Sequence, residues 1–151
     1  MAGVAAAVKA ARPSVVVVGC QPAASPVMHE SVRAGRVVEY TSSPTLSEGT
    51  AGGIEPGALT LPLCAELVDH WAVVGEQDIE WGVAAVWRQL GLMVEGAAGL
   101  AVAAVKQCSQ LVAGKIVCAV LCGGNIDAET HSGVLRAVAQ REKASILSSC
   151  E

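Results

Sequence analysis

The chain has 151 residues, with 10 Lys and Arg against 14 Asp and Glu for a formal charge of -4. That size suits one domain, and the charge leaves no field of a single sign to condense on nucleic acid or an anionic membrane. Apolar residues make up 52% of the chain and aromatic ones 3%, with no Phe, so Ala, Val and Leu must build the core, as suits buried parallel strands and Ala-rich helices.

Residues 96–105, the longest candidate for a membrane span, are about half of the roughly 20 that a bilayer requires. The first residues have an apolar stretch without the charged start and cleavage site of a secretory leader, so the expected location is cytoplasmic. Six cysteines, at 20, 64, 108, 118, 122 and 150, form no CxxC pair, which argues against a zinc ribbon or redox dithiol. Most read as small buried hydrophobes with free thiols.

In chain order, residues 2–11 form an Ala-rich helix stopped by Arg12-Pro13, since proline disfavours helix in the residue before it. Val15-Val16-Val17-Val18-Gly19 is a continuous β-branched run, the mark of a strand covered on both faces. A short helix follows over residues 25–34, and residues 35–57, rich in Ser, Thr, Gly and Pro, form a long loop of the kind that often carries function. Residues 61–68 have a short helical pattern, and Trp71-Ala72-Val73-Val74 reads as a strand. Residues 76–90 form an amphipathic helix with acidic residues in its first turn, where the macrodipole favours them.

Glu95-Gly96-Ala97-Ala98-Gly99 opens another Ala-rich helix to about Cys108, and Gly114 ends that segment. Residues 115–121 then form a second, nearly unbroken apolar strand running into Cys122-Gly123-Gly124-Asn125. A turn after the carboxyl end of a buried parallel strand is where ligands bind in open α/β sheets, so this tetrapeptide is the leading site on physical grounds. Residues 128–143 form a tail helix and residues 144–151 a frayed end. The expected fold is α/β, a three-layer αβα arrangement around a mostly parallel sheet.

His29, His70 and His131 show no ligand spacing with one another or with the cysteines. Trp71, Trp81 and Trp87 read as core or interface anchors. Neither GxGxxG nor GxxxxGK[ST] occurs, which disfavours a generic nucleotide-binding domain.

Three segments, in this order, resemble the fold-type-II pyridoxal-phosphate-dependent serine/threonine dehydratases and serine racemases. They are Met1-Ala2-Gly3-Val4 leading to Val16-Val17-Val18-Gly19-Cys20-Gln21-Pro22; Thr45-Leu46-Ser47-Glu48-Gly49 with Leu67-Val68-Asp69-His70; and Val94-Glu95-Gly96-Ala97-Ala98-Gly99 followed by Val120-Leu121-Cys122-Gly123-Gly124-Asn125-Ile126-Asp127. The resemblance covers residues 1–127, the C-terminal part of that family's large domain, and leaves 128–151 as a helical tail.

The resemblance implies pyridoxal 5'-phosphate as cofactor and a cofactor-facing set of Cys122, Gly123, Asn125, Glu95 and Gly96. Cys122 would be the neutral partner of the pyridine nitrogen, Glu95 would lie near the ring, and Asn125 would help to hold the turn. It also implies deamination of L-serine or L-threonine to a 2-oxo acid and ammonia, in a dimer. The family's lysine in a Ser-x-Lys setting, its Ser-x-Gly-Asn loop and its phosphate-cradling glycine run have no counterpart among Lys9, Lys106, Lys115, Lys143 and their neighbours. The chain is therefore expected to begin just after the phosphate cradle and to contain no catalytic residue of its own. Gln21 stands where metal-holding relatives have an acidic residue, so no metal is expected. The alternative is a catalytically inactive truncated subunit that pairs with a full-length enzyme, through an exposed strand edge and apolar face.

Overall fold

The computed structural model describes residues 1–148. Helix α1 (Ala2–Ala11) ends as expected, with Arg12 swung to an extended backbone ahead of Pro13. Strand β1 is Val18–Pro22, three residues beyond the predicted run. The first valines are used up before the ladder starts. Val15 N–H donates to Arg12 O in the turn that follows the proline, and Val17 O accepts from Asp69 and His70. Pro22, which has no N–H to donate, is tolerated as the strand's last residue.

Helix α2 (Val27–Ala34) leads into the long loop, whose only regular feature among the described residues is one 3-10 turn, Glu48–Thr50. Then come α3 (Thr60–Leu67), β2 (His70–Val74), α4 (Glu76–Leu90), α5 (Gly96–Gln107), the single turn α6 (Ser109–Val112) and α7 (Ala128–Ser148). Helix α4 has the predicted bounds, opened by Glu76 and Asp78 in its first turn and closed by Gly91. Helix α7 runs past the predicted end, so residues 144–148 are helical and not frayed. The predicted end at 149–151, with Cys150, lies outside the described residues.

β1 and β2 pair in parallel, with Val18 opposite His70 and Pro22 opposite Val74. Side chains alternate across such a sheet, and here both faces are covered. Trp71 faces Ala2, Met28, Val32 and Cys64 from α1, α2 and α3. Val18, Cys20, Ala72 and Val74 face Ile79, Leu100, Ala103 and Ala104 from α4 and α5. Burying each Val or Ile of this set contributes about 1.5–3 kcal/mol. A further cluster joins α4 and α5 to Val134 and Val138 of α7. The expected α/β class with helices on both sheet faces is thus found, around a parallel sheet of two strands among the described residues.

Residues 115–121 are not a strand. They form no ladder with β1 or β2, and Ile116 and Val120 are exposed. An apolar β-branched run becomes a strand only with a partner for its backbone, and none of the described residues supplies one. The cysteines also depart from expectation: Cys64 is buried, Cys20 and Cys108 are half-buried, and Cys118 and Cys122 are exposed. None of the three tryptophans is fully buried. Trp81 lies under Lys106 Nζ, 4.4 Å from the ring centre, and Trp87 meets His131 edge-on at 5.2 Å.

The turn into β1 is clamped by Asp69, whose carboxylate accepts from Lys9 Nζ at 2.7 Å and from Val17 N–H at 2.7 Å. The lysine hydrogen bond, then the backbone one, holds this carboxyl below its ordinary range. A depressed folded-state value stabilises fully above the unfolded carboxyl's pKa of about 3.9 and is lost as pH falls through the folded value. Asp69→Asn should therefore flatten the acid side of the stability profile, read from thermal melts between about pH 2 and 7. An unchanged acid slope would remove Asp69 from that account.

Candidate functional site

The site forms at the start of α5, where three stretches distant in sequence meet. Glu95 is the residue before the helix; its carbonyl accepts from Ala98 N–H at 3.1 Å and Gly99 N–H at 3.2 Å, opening the first turn. Its own N–H reaches back to Gly123 O at 3.3 Å. Gly123 has φ +101°, and a Cβ built on it would lie 1.6 Å from Glu95 Oε1. The carboxylate therefore lies directly over the Gly123 backbone, in space that only glycine leaves open.

The third stretch is the long loop. Gly96 is buried, and a Cβ there would meet Leu46 O at 2.1 Å, while a Cβ on Gly49 would come within 3.8 Å of Glu95 Oε1. Leu46 N–H donates to Glu76 Oε2 at 2.9 Å, so the first residue of α4 anchors the loop against α5. Ser47 is fully buried; its hydroxyl pairs with that of Thr50 at 2.7 Å, and its N–H donates to Thr45 Oγ1 at 3.1 Å. Upstream, Ser25 Oγ lies 2.6 Å from Ser42 Oγ and accepts from Gly52 N–H. Short hydroxyl side chains thus satisfy a loop that has no ladder of its own.

The structure brings Glu95, Gly96 and Gly123 together, with Cys122 next along the chain. Cys122 is exposed, and its N–H donates to Val120 O at 3.1 Å. Asn125 is exposed and makes no hydrogen bond to a described residue, so the Glu95 N–H and not the Asn125 amide holds this turn. Glu76 is the residue of this junction that sequence reasoning misses. The sequence marks it only as a charge at the α4 terminus, and nothing local points to the partner it finds at Leu46.

No lysine pairs with this rim. Lys9 pairs with Asp69, and Lys106 with Asp78 at 3.3 Å, whereas Lys115 and Lys143 are exposed. The histidines stand apart. His29 Nδ1 faces Glu30 at 3.2 Å, His70 is exposed, and buried His131 faces Trp87. Among the described residues no helix is long and apolar enough to cross a membrane.

A thiol, a carboxylate and a bare glycine on an open rim can position a ligand. Exposure predicts an order of thiol reactivity. Cys118 and Cys122 should alkylate first in the folded chain, Cys64 and Cys20 last, because burial excludes the reagent and pushes both of the latter thiols up. Time-resolved iodoacetamide labelling read by peptide mass spectrometry tests this, and early labelling of Cys64 would contradict the packing of α3.

The family model described as pyridoxal-phosphate dependent enzyme matches residues 1–123. L-threonine ammonia-lyase of Geobacter sulfurreducens is 37% identical over 137 residues, covering 89% of this chain and 33% of that protein. Serine racemase of Bos taurus is 36% identical over 149 residues, covering 95% and 43%. Among solved structures, maize serine racemase superposes with a TM-score of 0.77 at 25% identity, over 90% of this chain and 43% of that one. The T.th. threonine deaminase gives 0.75 at 29% identity, over 83% and 41%. The chain spans between a third and somewhat over two fifths of the length of these relatives.

Proposed function

Because the chain belongs to the pyridoxal-phosphate-dependent enzymes, we propose that it supplies one wall of the cofactor site of an L-serine/L-threonine dehydratase. The observation that carries this reading is the docking of Gly123 against Glu95, which sets the Cys122 turn on the N-terminus of α5. The cofactor of the family is pyridoxal 5'-phosphate. The rim fits the ring of that group and not its phosphate, for it offers a carboxylate and a thiol and pairs with no cation.

When bound, the cofactor supplies an electron sink for charge developing at the substrate's α-carbon. The chain's own residues orient and shield. The Cys122 thiol would be a weak, uncharged hydrogen-bonding partner for the ring. Glu95 fixes the turn through its N–H, and Gly123 keeps the approach free of a side chain. Gly96 lets the Leu46–Ser47 backbone close the wall from the other side. Asn125, exposed at the end of the turn, is available to bound groups. The lysine that holds the cofactor and moves the α-proton comes, on this reading, from residues outside this chain. The substrate is L-serine or L-threonine, the product a 2-oxo acid with ammonia, and the working enzyme a cytoplasmic homodimer.

A second reading is favoured by the four lysines, none of which pairs with the rim: the chain is a catalytically silent subunit paired with a full-length enzyme. Borohydride reduction of each species as purified, with no pyridoxal 5'-phosphate added, followed by peptide mapping and an assay for the 2-oxo acid, tests both. The chain alone should yield no labelled lysine and no 2-oxo acid, whereas the species isolated from the cells that make it should yield both, with the label on a lysine outside these 151 residues. Labelling of Lys9, Lys106, Lys115 or Lys143 would overturn the division of labour. A native species inert toward both amino acids would overturn the assigned reaction.

A further inference from the structure

We infer that Ser25 is a positioning residue of the cofactor site: its buried hydroxyl pins the long loop where it leaves and where it returns, so that the loop closes against Glu95 and Gly96. The inference rests on the reading above, in which that wall faces pyridoxal 5'-phosphate. Ser25 acts on the wall through the loop.

The anchor is the first observation. Ser25 follows the carboxyl end of β1 and is fully buried. Ala23 N–H donates to Val74 O, on the last residue of β2, at 2.7 Å, and Ser25 N–H donates to Pro22 O at 3.0 Å. Gln21 is buried, and its Oε1 accepts from His29 N–H at 2.7 Å, which ties the end of β1 to the first turn of α2. The hydroxyl is therefore carried on the sheet itself.

The path of the loop is the second observation. On the way out, Ser42 Oγ pairs with Ser25 Oγ at 2.6 Å, beside Ser43 N–H donating to Ala24 O at 2.9 Å. On the way back, Gly52 N–H donates to Ser25 Oγ at 3.2 Å, from a residue at φ +129°, a conformation open to glycine. A hydroxyl has one proton and two lone pairs, so Ser25 Oγ holds both partners at once. Between these contacts lies the part of the loop that makes the wall. Leu46 O sits over Gly96, Gly49 lies beside Glu95 Oε1, and Leu46 N–H donates to Glu76 Oε2. Glu76 follows the carboxyl end of β2 as Ser25 follows that of β1. The loop is thus strung between the carboxyl ends of two parallel strands, the edge at which open α/β sheets bind ligands.

Ser42 and Gly52 are exposed. Water can take their hydrogen bonds once the Ser25 oxygen is gone, so its loss frees the loop and leaves the core packed.

The test places Ser25→Ala, Ser42→Ala and Ser42→Thr in the native species and reads hydrogen–deuterium exchange together with affinity for pyridoxal 5'-phosphate. Ser25→Ala should speed exchange at residues 45–50 by about tenfold and weaken cofactor binding by about tenfold, the loss expected for one or two hydrogen bonds, with the amides of α4 and α5 unchanged. Ser42→Ala should act in the same direction by about threefold, because Gly52 N–H keeps its acceptor. Ser42→Thr keeps the hydroxyl at an exposed position and should match the parent. The two Ser42 variants decide the matter if Ser25→Ala does not fold. Parent-like cofactor affinity in Ser25→Ala, whatever its melting temperature, would overturn the inference. So would Ser42→Thr behaving as Ser42→Ala, or faster exchange spread equally over α4 and α5. None of these readouts involves turnover. A native species that shows them and deaminates neither amino acid would sink the assigned reaction and leave the role of Ser25 standing, whereas one that binds no pyridoxal 5'-phosphate would overturn both.

Discussion

Gly82→Ala should destabilise the chain by about 2–4 kcal/mol, at the upper end of what overpacking a core costs. Helices α4 and α5 cross at this point with their backbones almost touching. A Cβ on Gly82 would lie 2.1 Å from the carbonyl oxygen of Gly99, and one on Gly99 would lie 2.7 Å from that of Ile79. Neither obstacle is a side chain that could rotate away, so the helices must separate. Separation would loosen the contacts of Ile79 and Val83, both fully buried. Alanine's better helix propensity returns only about 1 kcal/mol. Gly3→Ala in α1 is the control, since nothing lies within 4 Å of its added Cβ, and it should stabilise by about 0.5–1 kcal/mol. Urea denaturation of the three proteins tests the prediction. Equal effects of Gly82→Ala and Gly3→Ala would mean that the helices do not approach as described.

Gly123→Ala should damage the site more than the fold. The new methyl would fall among Cγ, Cδ and Oε1 of Glu95, all within 2.7 Å. The carboxylate must swing away, and the backbone holds a positive φ that costs an L-residue about 1–2 kcal/mol. Stability should fall by about that much, while affinity for pyridoxal 5'-phosphate in the native species falls by roughly tenfold or more, as expected when a supporting group is displaced from a bound cofactor. Combining it with Glu95→Ala separates the causes. The clash disappears in the double variant and the backbone strain remains, so the two substitutions should be non-additive in both melting and cofactor titration. Additive effects would show that the carboxylate does not lie over Gly123.

Where sequence and structure agree, the signal is local. Helix α4 is bounded by its own chemistry, acids at its start and Gly91 at its end, and α1 is cut by Pro13. Where they part, a distant partner decides. Val15 and Val16 have the composition of a strand, yet Asp69, far along the chain, claims the turn and shifts β1 to Val18. The run at 115–121 has the strongest strand composition after β1 and makes no strand here, because composition describes a willingness to pair and not the presence of a partner. Residue type alone makes most of the cysteines look buried, but Cys118 and Cys122 follow the exposure of that unpaired run. At the site, Glu95, Gly96 and Gly123 are legible from the resemblance, and the structure brings them together. The hydrogen bond that ties them is not legible, nor is Glu76, whose reach to Leu46 depends on how the long loop folds back.

The parallel pairing of β1 with β2 has a kinetic counterpart. The two strands are separated by residues 23–69, so the sheet closes only after the long loop and two helices have been gathered in, whereas α4 and α5 are near neighbours in sequence and meet glycine to glycine. Loop closure over the longer span carries the larger entropy cost and brings its contacts late. The α4–α5 hairpin is therefore expected to organise first, as a small Ala- and Val-rich nucleus on which β2 and then β1 assemble. Pulse-labelled exchange during refolding would then show amides of α4 and α5 protected ahead of those of Val18–Pro22; the opposite order would place the nucleus in the sheet.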